Sequence, residues 1–243
     1  MNPKPFAYGD FTRVRNTLRE ALCEHEETYA LVTGETGTGK TALVRELRGD
    51  LDRARHRIVY FAEARKLGAA GLVRVLARQF RVRLSTCHAE CLTQLVRALG
   101  EETQKLLLWF DEAHELPEET LAEARALAES DLDGTRRVQV LLLGLPRLRA
   151  ELMAQPPLWR RIVVREELTG LALEELGPFL EHHFGAGITK RFCEQGLGAI
   201  FEHAKGAPGL VLPMCRRVLA TATGKGRLEP EQVEDVLQRW ELA

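Results

Sequence analysis

One stretch restricts the possible folds of this chain more than any other: residues 29–41, which read YALVTGETGTGKT. An apolar run with the character of a β-strand ends at Thr33. It meets Gly34 to Thr41, which match the GxxxxGK(S/T) phosphate loop at every position. Glycines at 34, 37 and 39 allow successive N–H groups to converge on a phosphate, and a helix opening near Gly39 adds its positive end. Lys40 reaches β and γ phosphates, and the Thr41 hydroxyl is placed to ligate Mg2+. The predicted nucleotide cradle is therefore Gly34, Glu35, Thr36, Gly37, Thr38, Gly39, Lys40, Thr41 and Ala42.

A second run completes the chemistry. Lys105 to Phe110 is apolar after its first residue, as a strand covered on both faces must be, and it ends in Asp111 and Glu112. Ligands of open α/β sheets gather at the carboxyl ends of strands. Asp111 there is a candidate Mg2+ holder through a water. Glu112 is the candidate that orients and polarises an attacking water, with Lys40 as its catalytic companion.

Around these runs, strands at 29–33, 57–61, 105–110, 137–144 and 162–165 alternate with helices at 41–51, 68–80, 88–101, 117–130 and 146–154. A helix over 10–27, capped by Asp10, precedes the first strand, and Pro156 and Pro157 are expected to stop the helix before the last one. From about Gly170 the pattern turns all-helical, near 172–184, 188–204, 208–223 and 229–240. The fold class expected is a P-loop α/β parallel sheet with flanking helices, followed by a small all-helical lid. The division is 1–27 lead-in, 28–169 nucleotide-binding core and 170–243 lid.

Bulk properties exclude several classes. With 45% apolar and 28% charged residues in 243, the chain is globular, and a net charge of -1 means that any polyanion site is a local patch. Five cysteines without paired spacing fit free thiols better than zinc ligands or disulfides. The first residues lack a signal peptide, and no apolar run reaches the ~18–20 residues that span a bilayer, so a cytoplasmic protein without a membrane segment is expected.

The phosphate loop, LWFDEAH at 108–114, LGLPRLR at 143–149, RIVVR at 161–165 and GAPG at 206–209 together resemble the AAA+ ATPases of the ExeA-like group, over about 10–240. Similar proteins are secretion ATPases and transposition regulators like MuB and TnsC. The resemblance implies ATP hydrolysis at subunit interfaces of a ring or helical filament. An arginine from the neighbouring copy then completes the site, at Arg161 with Arg160 as the alternative. Such an arginine neutralises charge developing on the transferred phosphoryl group. Two positions depart from the family pattern. Leu145 stands where a polar sensor residue is usual, and Gly209 where an arginine follows Gly-x-Pro; Arg216 or Arg217, two turns on, is the available substitute. Slow or partner-stimulated hydrolysis is the expectation.

The ending of the sequence at Ala243 without a membrane span favours the transposition regulators. That reading makes the chain an ATP-dependent regulator that assembles on duplex DNA and meets a transposase. The alternatives are an ATPase serving secretion or membrane assembly, and a nucleotide switch in defence or repair. DNA contact is expected from Arg65 and Lys66 after the second strand, with Arg81 and Arg83 adding to the same patch through charge alone; a solvated edge is the other reading. His114 is expected to have a local or partner-sensing role rather than a metal-binding one, and His182 and His183 to lie on a solvated helix face.

Overall fold

The computed structural model describes residues 5–24, 29–62, 65, 67–129, 138–221 and 226–241. Its elements in chain order are α1 (Gly9–Glu24), β1 (Tyr29–Thr33), α2 (Lys40–Asp50), β2 (His56–Phe61), α3 (Ala69–Gln79), α4 (His88–Gly100) and β3 (Lys105–Phe110). There follow α5 (Glu118–Glu129), β4 (Val138–Gly144), α6 (Arg147–Met153), α7 (Pro156–Trp159) and β5 (Ile162–Glu167). The chain ends with α8 (Leu176–Phe184), α9 (Glu194–Ala204), α10 (Pro208–Thr221) and α11 (Pro230–Glu241). It divides into two compact units: residues 15–33 with 44–167, and residues 1–14 with 34–43 and 168–243.

The first unit is built on a five-stranded sheet of order β2-β3-β4-β1-β5, with every pairing parallel. β1, β3 and β4 are buried along their whole length, as their predominantly apolar runs require. The sheet core gathers Leu31, Leu108, Phe110, Val140 and Leu142, with Leu72, Leu76, Leu95 and Leu127 from the covering helices. The last strand differs from the expected core strand. It runs on to Glu167 and forms a sheet edge, so alternate residues face out and Val163 is 67% exposed. Pro156 and Pro157 do not simply stop a helix. Pro156 opens α7, where its fixed φ and missing N–H suit a first turn.

The second unit contains the C-terminal helices, with α9, α10 and α11 in mutual contact. Ile200, Val211, Met214, Cys215, Val218, Val233 and Leu237 are buried there. The helix expected over 188–204 is broken. Ile188–Arg191 forms a 3-10 turn, buried Phe192 is extended and bridges Leu228, and Cys193 caps α9 by accepting the Gly196 N–H at 3.2 Å. The pairing with Leu228 holds Phe192 outside the helical region, which periodicity alone does not reveal. His182 and His183 do not form the expected solvated face together. His183 is half-buried with its ring edge-on to Phe179 at 4.7 Å, while exposed His182 meets Phe6 at 5.7 Å.

Candidate nucleotide site

The phosphate loop leaves β1 directly after Thr33. Gly37 and Gly39 have φ of 85° and 103°, the left-handed region that a side chain disfavours, and α2 begins at Lys40. The Lys40 side chain is buried and curls over the loop, donating to Gly34 O at 2.6 Å and Glu35 O at 2.9 Å. Thr38, also buried, donates its hydroxyl to Glu35 O at 2.9 Å. Glu35, Thr36 and Thr41 are exposed, and Gly37, Gly39 and Ala42 partly so. The loop thus holds its own shape and presents its outer rim to solvent.

Gly209, one of the two positions that depart from the family pattern, lies against this loop. Its N–H donates to Gly37 O at 2.8 Å, and a Cβ built on Gly209 would sit 2.9 Å from Gly37 Cα. Backbone meets backbone there, with no room for an arginine side chain. Tyr8, which sequence reasoning missed, donates its phenol to Thr38 O from the other end of the chain, and burial together with nearby Asp10 and Glu175 pushes its ionisation upward.

On the sheet unit, β3 delivers Asp111, whose N–H continues the ladder to Phe61 O at 2.9 Å. The Asp111 side chain is held at both oxygens: Oδ1 accepts the Glu112 N–H at 3.0 Å and Oδ2 accepts the Tyr60 hydroxyl at 2.8 Å. Tyr60 also escaped sequence reasoning. It becomes a neighbour of Asp111 because β2 pairs in register with β3, setting Tyr60 opposite Trp109. Burial and this hydrogen bond raise the Tyr60 phenol, which therefore stays a donor through neutral pH.

Glu112 adopts φ 50° and ψ 41°, a left-handed conformation that costs a non-glycine residue about 1–2 kcal/mol and is concentrated at functional sites. Its carboxylate is half exposed and lies 3.4 Å from Nδ1 of His114, whose side chain is only 4% exposed. The same Nδ1 accepts the Leu145 N–H at 3.2 Å.

Residues 23–152, just over half of the sequence, match the family described as AAA domain. The chain belongs to that family. General secretion pathway protein A of Aeromonas hydrophila is 26% identical over 211 residues, which cover 82% of this chain and 38% of that protein. This AAA domain chain therefore spans well under half of its relative's length. Among solved structures, Cdc6p of Pyrobaculum aerophilum superposes with a TM-score of 0.73 at 20% identity, covering 98% of this chain and 69% of that one. The ORC1 protein of Aeropyrum pernix in complex with DNA gives 0.65 at 18%, covering 98% and 65%. At such identities the likeness is one of fold, and it agrees with the parallel P-loop sheet and helical C-terminal part expected from the sequence.

The arginines of the AAA domain chain are distributed as follows. Arg161, exposed just before β5, donates through Nε to Glu129 Oε1 at 2.9 Å, and the same oxygen receives Arg125 at 3.0 Å. Arg160 is exposed beside it. Exposed pairs of this kind are worth about 0–1 kcal/mol, so the pair holds Arg161 only weakly. Of the basic residues expected to contact DNA, Arg65, Arg81 and Arg83 are exposed. Arg65 precedes α3 and Arg81 follows it, so the eleven-residue helix, about 16 Å long, lies between them in the chain. Lys66 lies outside the described residues. Beside Arg81, Phe80 stacks under the Arg57 guanidinium at 4.7 Å, and Arg57 pairs with Glu102 at 2.7 Å. Arg48, Arg53 and His56 line one hollow with Arg57, and neither Arg48 nor Arg53 has an ion pair among the described residues. Sequence reasoning missed this basic cluster at one end of β2. No described helix is long and apolar enough to cross a membrane.

Proposed function

We propose that this chain is an ATP-hydrolysing molecular switch. ATP lies with its phosphates on Gly34 to Ala42, Mg2+ is held by Thr41 and, through water, by Asp111, and Glu112 polarises the attacking water. Two separate observations support the reading, one within each unit: the geometry of the loop, and the carboxylates at the end of β3. The loop has left-handed Gly37 and Gly39 with a buried Lys40, and Asp111 has both of its oxygens held in place while Glu112 stays accessible. Residues 170–243 serve as the lid, a role supported by the Gly209 to Gly37 backbone bond. Self-assembly into a ring or filament supplies Arg161, or Arg160, to a neighbouring copy's phosphates. The weakness of the Arg161 to Glu129 pair supports that release.

The work to which this switch is coupled has two readings. The secretion pathway relative supports a secretion or membrane-assembly role. Duplex DNA as partner is supported by the fold shared with a DNA-bound ORC1 and by the unpaired Arg48 and Arg53, with Arg65, Arg81 and Arg83 as further contacts. Regulation of a transposase is the narrower form of the DNA reading and rests on the resemblance of the motifs alone.

The test is ATP turnover and particle size, with and without duplex DNA, for wild type and Glu112→Gln. Expected are ATP binding in both proteins and a turnover about 10²–10⁴-fold lower in the variant. Equal turnover in the two removes Glu112 from the chemistry. DNA that changes neither size nor turnover at low salt, where backbone binding is strongest, removes the DNA reading and leaves the secretion-type role.

A further inference from the structure

Leu145 stands where related ATPases carry a polar side chain that senses the γ-phosphate, and its main chain there has a polar neighbour. The end of β4 presents the Leu145 main-chain N–H, which reaches Nδ1 of His114 at 3.2 Å. The same nitrogen faces Oε2 of Glu112 at 3.4 Å. A ring nitrogen serves one of these neighbours at a time. Without a proton it accepts from Leu145 and leaves Glu112 free; with one it donates to Glu112 and abandons the Leu145 N–H. The crowding around the ring is tight. A Cβ on Gly144 would fall 3.1 Å from His114 Nδ1 and 2.7 Å from Leu148 Cδ2, so glycine is what lets the ring approach the end of β4. The ring itself is almost wholly buried and cannot swing away from this choice.

We propose that His114 is a positioning residue that couples the end of β4 to Glu112. When the Leu145 N–H holds Nδ1, the ring is kept as the Nε2–H tautomer and the glutamate is released to accept from the attacking water. When the end of β4 shifts and that bond is lost, the neutral ring changes tautomer, Nδ1 taking a proton from water as Nε2 returns one to it, and Nδ1–H ties up the glutamate. The missing sensor side chain is thus replaced by a backbone donor read through a histidine. This inference rests on Glu112 acting on water, as proposed above.

The experiment combines single-turnover ATP hydrolysis, nucleotide affinity and nitrogen NMR of the histidine ring. In wild-type protein, His114 is expected to show an unprotonated Nδ1 hydrogen-bonded to an amide. Leu145→Pro, which lacks the N–H that holds Nδ1, is expected to slow single-turnover hydrolysis tenfold or more while ATP affinity changes less than twofold. Adding His114→Ala to Leu145→Pro removes the ring that ties up Glu112 and is expected to recover the rate to within about threefold of wild type. Three results overturn the proposal: a wild-type rate in Leu145→Pro, no recovery in the double variant when it binds ATP normally, or an Nδ1 that carries the proton throughout. Hydrolysis lost in Glu112→Gln but intact in Leu145→Pro defeats this inference alone. Wild type that binds ATP without hydrolysing it defeats the underlying reading as well.

Discussion

Replacing Gly209 by alanine sets two known effects against each other. Gly209 is the second residue of α10, where alanine ordinarily gains up to about 1 kcal/mol over glycine. Here the new Cβ would meet Gly37 Cα at 2.9 Å and Gly37 O at 3.0 Å, both backbone atoms of a loop that cannot move as a flexible side chain does. Such overpacking costs about 1–3 kcal/mol, and stretching the 2.8 Å bond from Gly209 N–H to Gly37 O forfeits up to about 1 more. The balance is a net loss of about 1–3 kcal/mol, or a fall in Tm of about 3–10 °C for a chain of this size. The assay is thermal unfolding of the purified protein with Gly198→Ala as control. Gly198 lies inside α9 with nothing near its missing Cβ, so that variant is expected to hold or raise Tm. Nucleotide affinity should fall in Gly209→Ala alone, because the strain is delivered to the loop that holds the phosphates. Should Gly209→Ala behave like Gly198→Ala in both measurements, the backbone contact has no energetic weight and the reasoning fails.

Tyr60→Phe removes the donor to Asp111 Oδ2 while leaving the Glu112 N–H on Oδ1. A hydrogen bond to a carboxylate is worth about 1.5–3 kcal/mol when buried, and discounted for the partial exposure of Tyr60 the Mg2+ concentration for half-maximal turnover should rise about three- to tenfold. An unchanged Mg2+ dependence would detach Tyr60 from the metal side of the site. Burial pushes the Cys215 thiol up to about 12 from an ordinary value of 9.0. The folded state therefore keeps its proton where the unfolded chain loses it, and stability present below pH 9 is lost as pH rises from 9 toward 12, by at most about 1.4 kcal/mol per pH unit. Urea midpoints measured across that range should fall, and Cys215→Ala should flatten the fall; a slope equal in both proteins would assign the effect to other groups.

Much of the core and the phosphate site was legible because the decisive residues are neighbours in sequence. Gly34 to Thr41 carry their own geometry, and the run from Leu106 to Phe110 announces a strand with both faces covered and carboxylates at its end. The lid was less legible. Residues 188–204 show continuous helical periodicity, yet the bridge from Phe192 to Leu228 breaks the helix, and a partner thirty-six residues away leaves no local mark. The basic residues were less legible for a related reason: Arg48, Arg53, His56 and Arg57 share one hollow, but no local pattern in the sequence groups them.

What the sequence by itself determined is the chemistry available. It specified a loop that admits a phosphate, a lysine and a threonine at its end, an acidic pair after a buried strand, and glycine rather than arginine at 209. Tertiary structure decided which of these groups meet. The parallel register of β2 and β3 brought the Tyr60 hydroxyl to Asp111, the end of β4 set the Leu145 N–H against His114, and packing of α10 on the loop turned Gly209 from a missing arginine into a required close contact. Local sequence sets backbone preference and side-chain type within a few residues. Contacts between residues thirty to more than one hundred and seventy positions apart depend on strand register and packing, which arise only when the whole chain excludes water from its core.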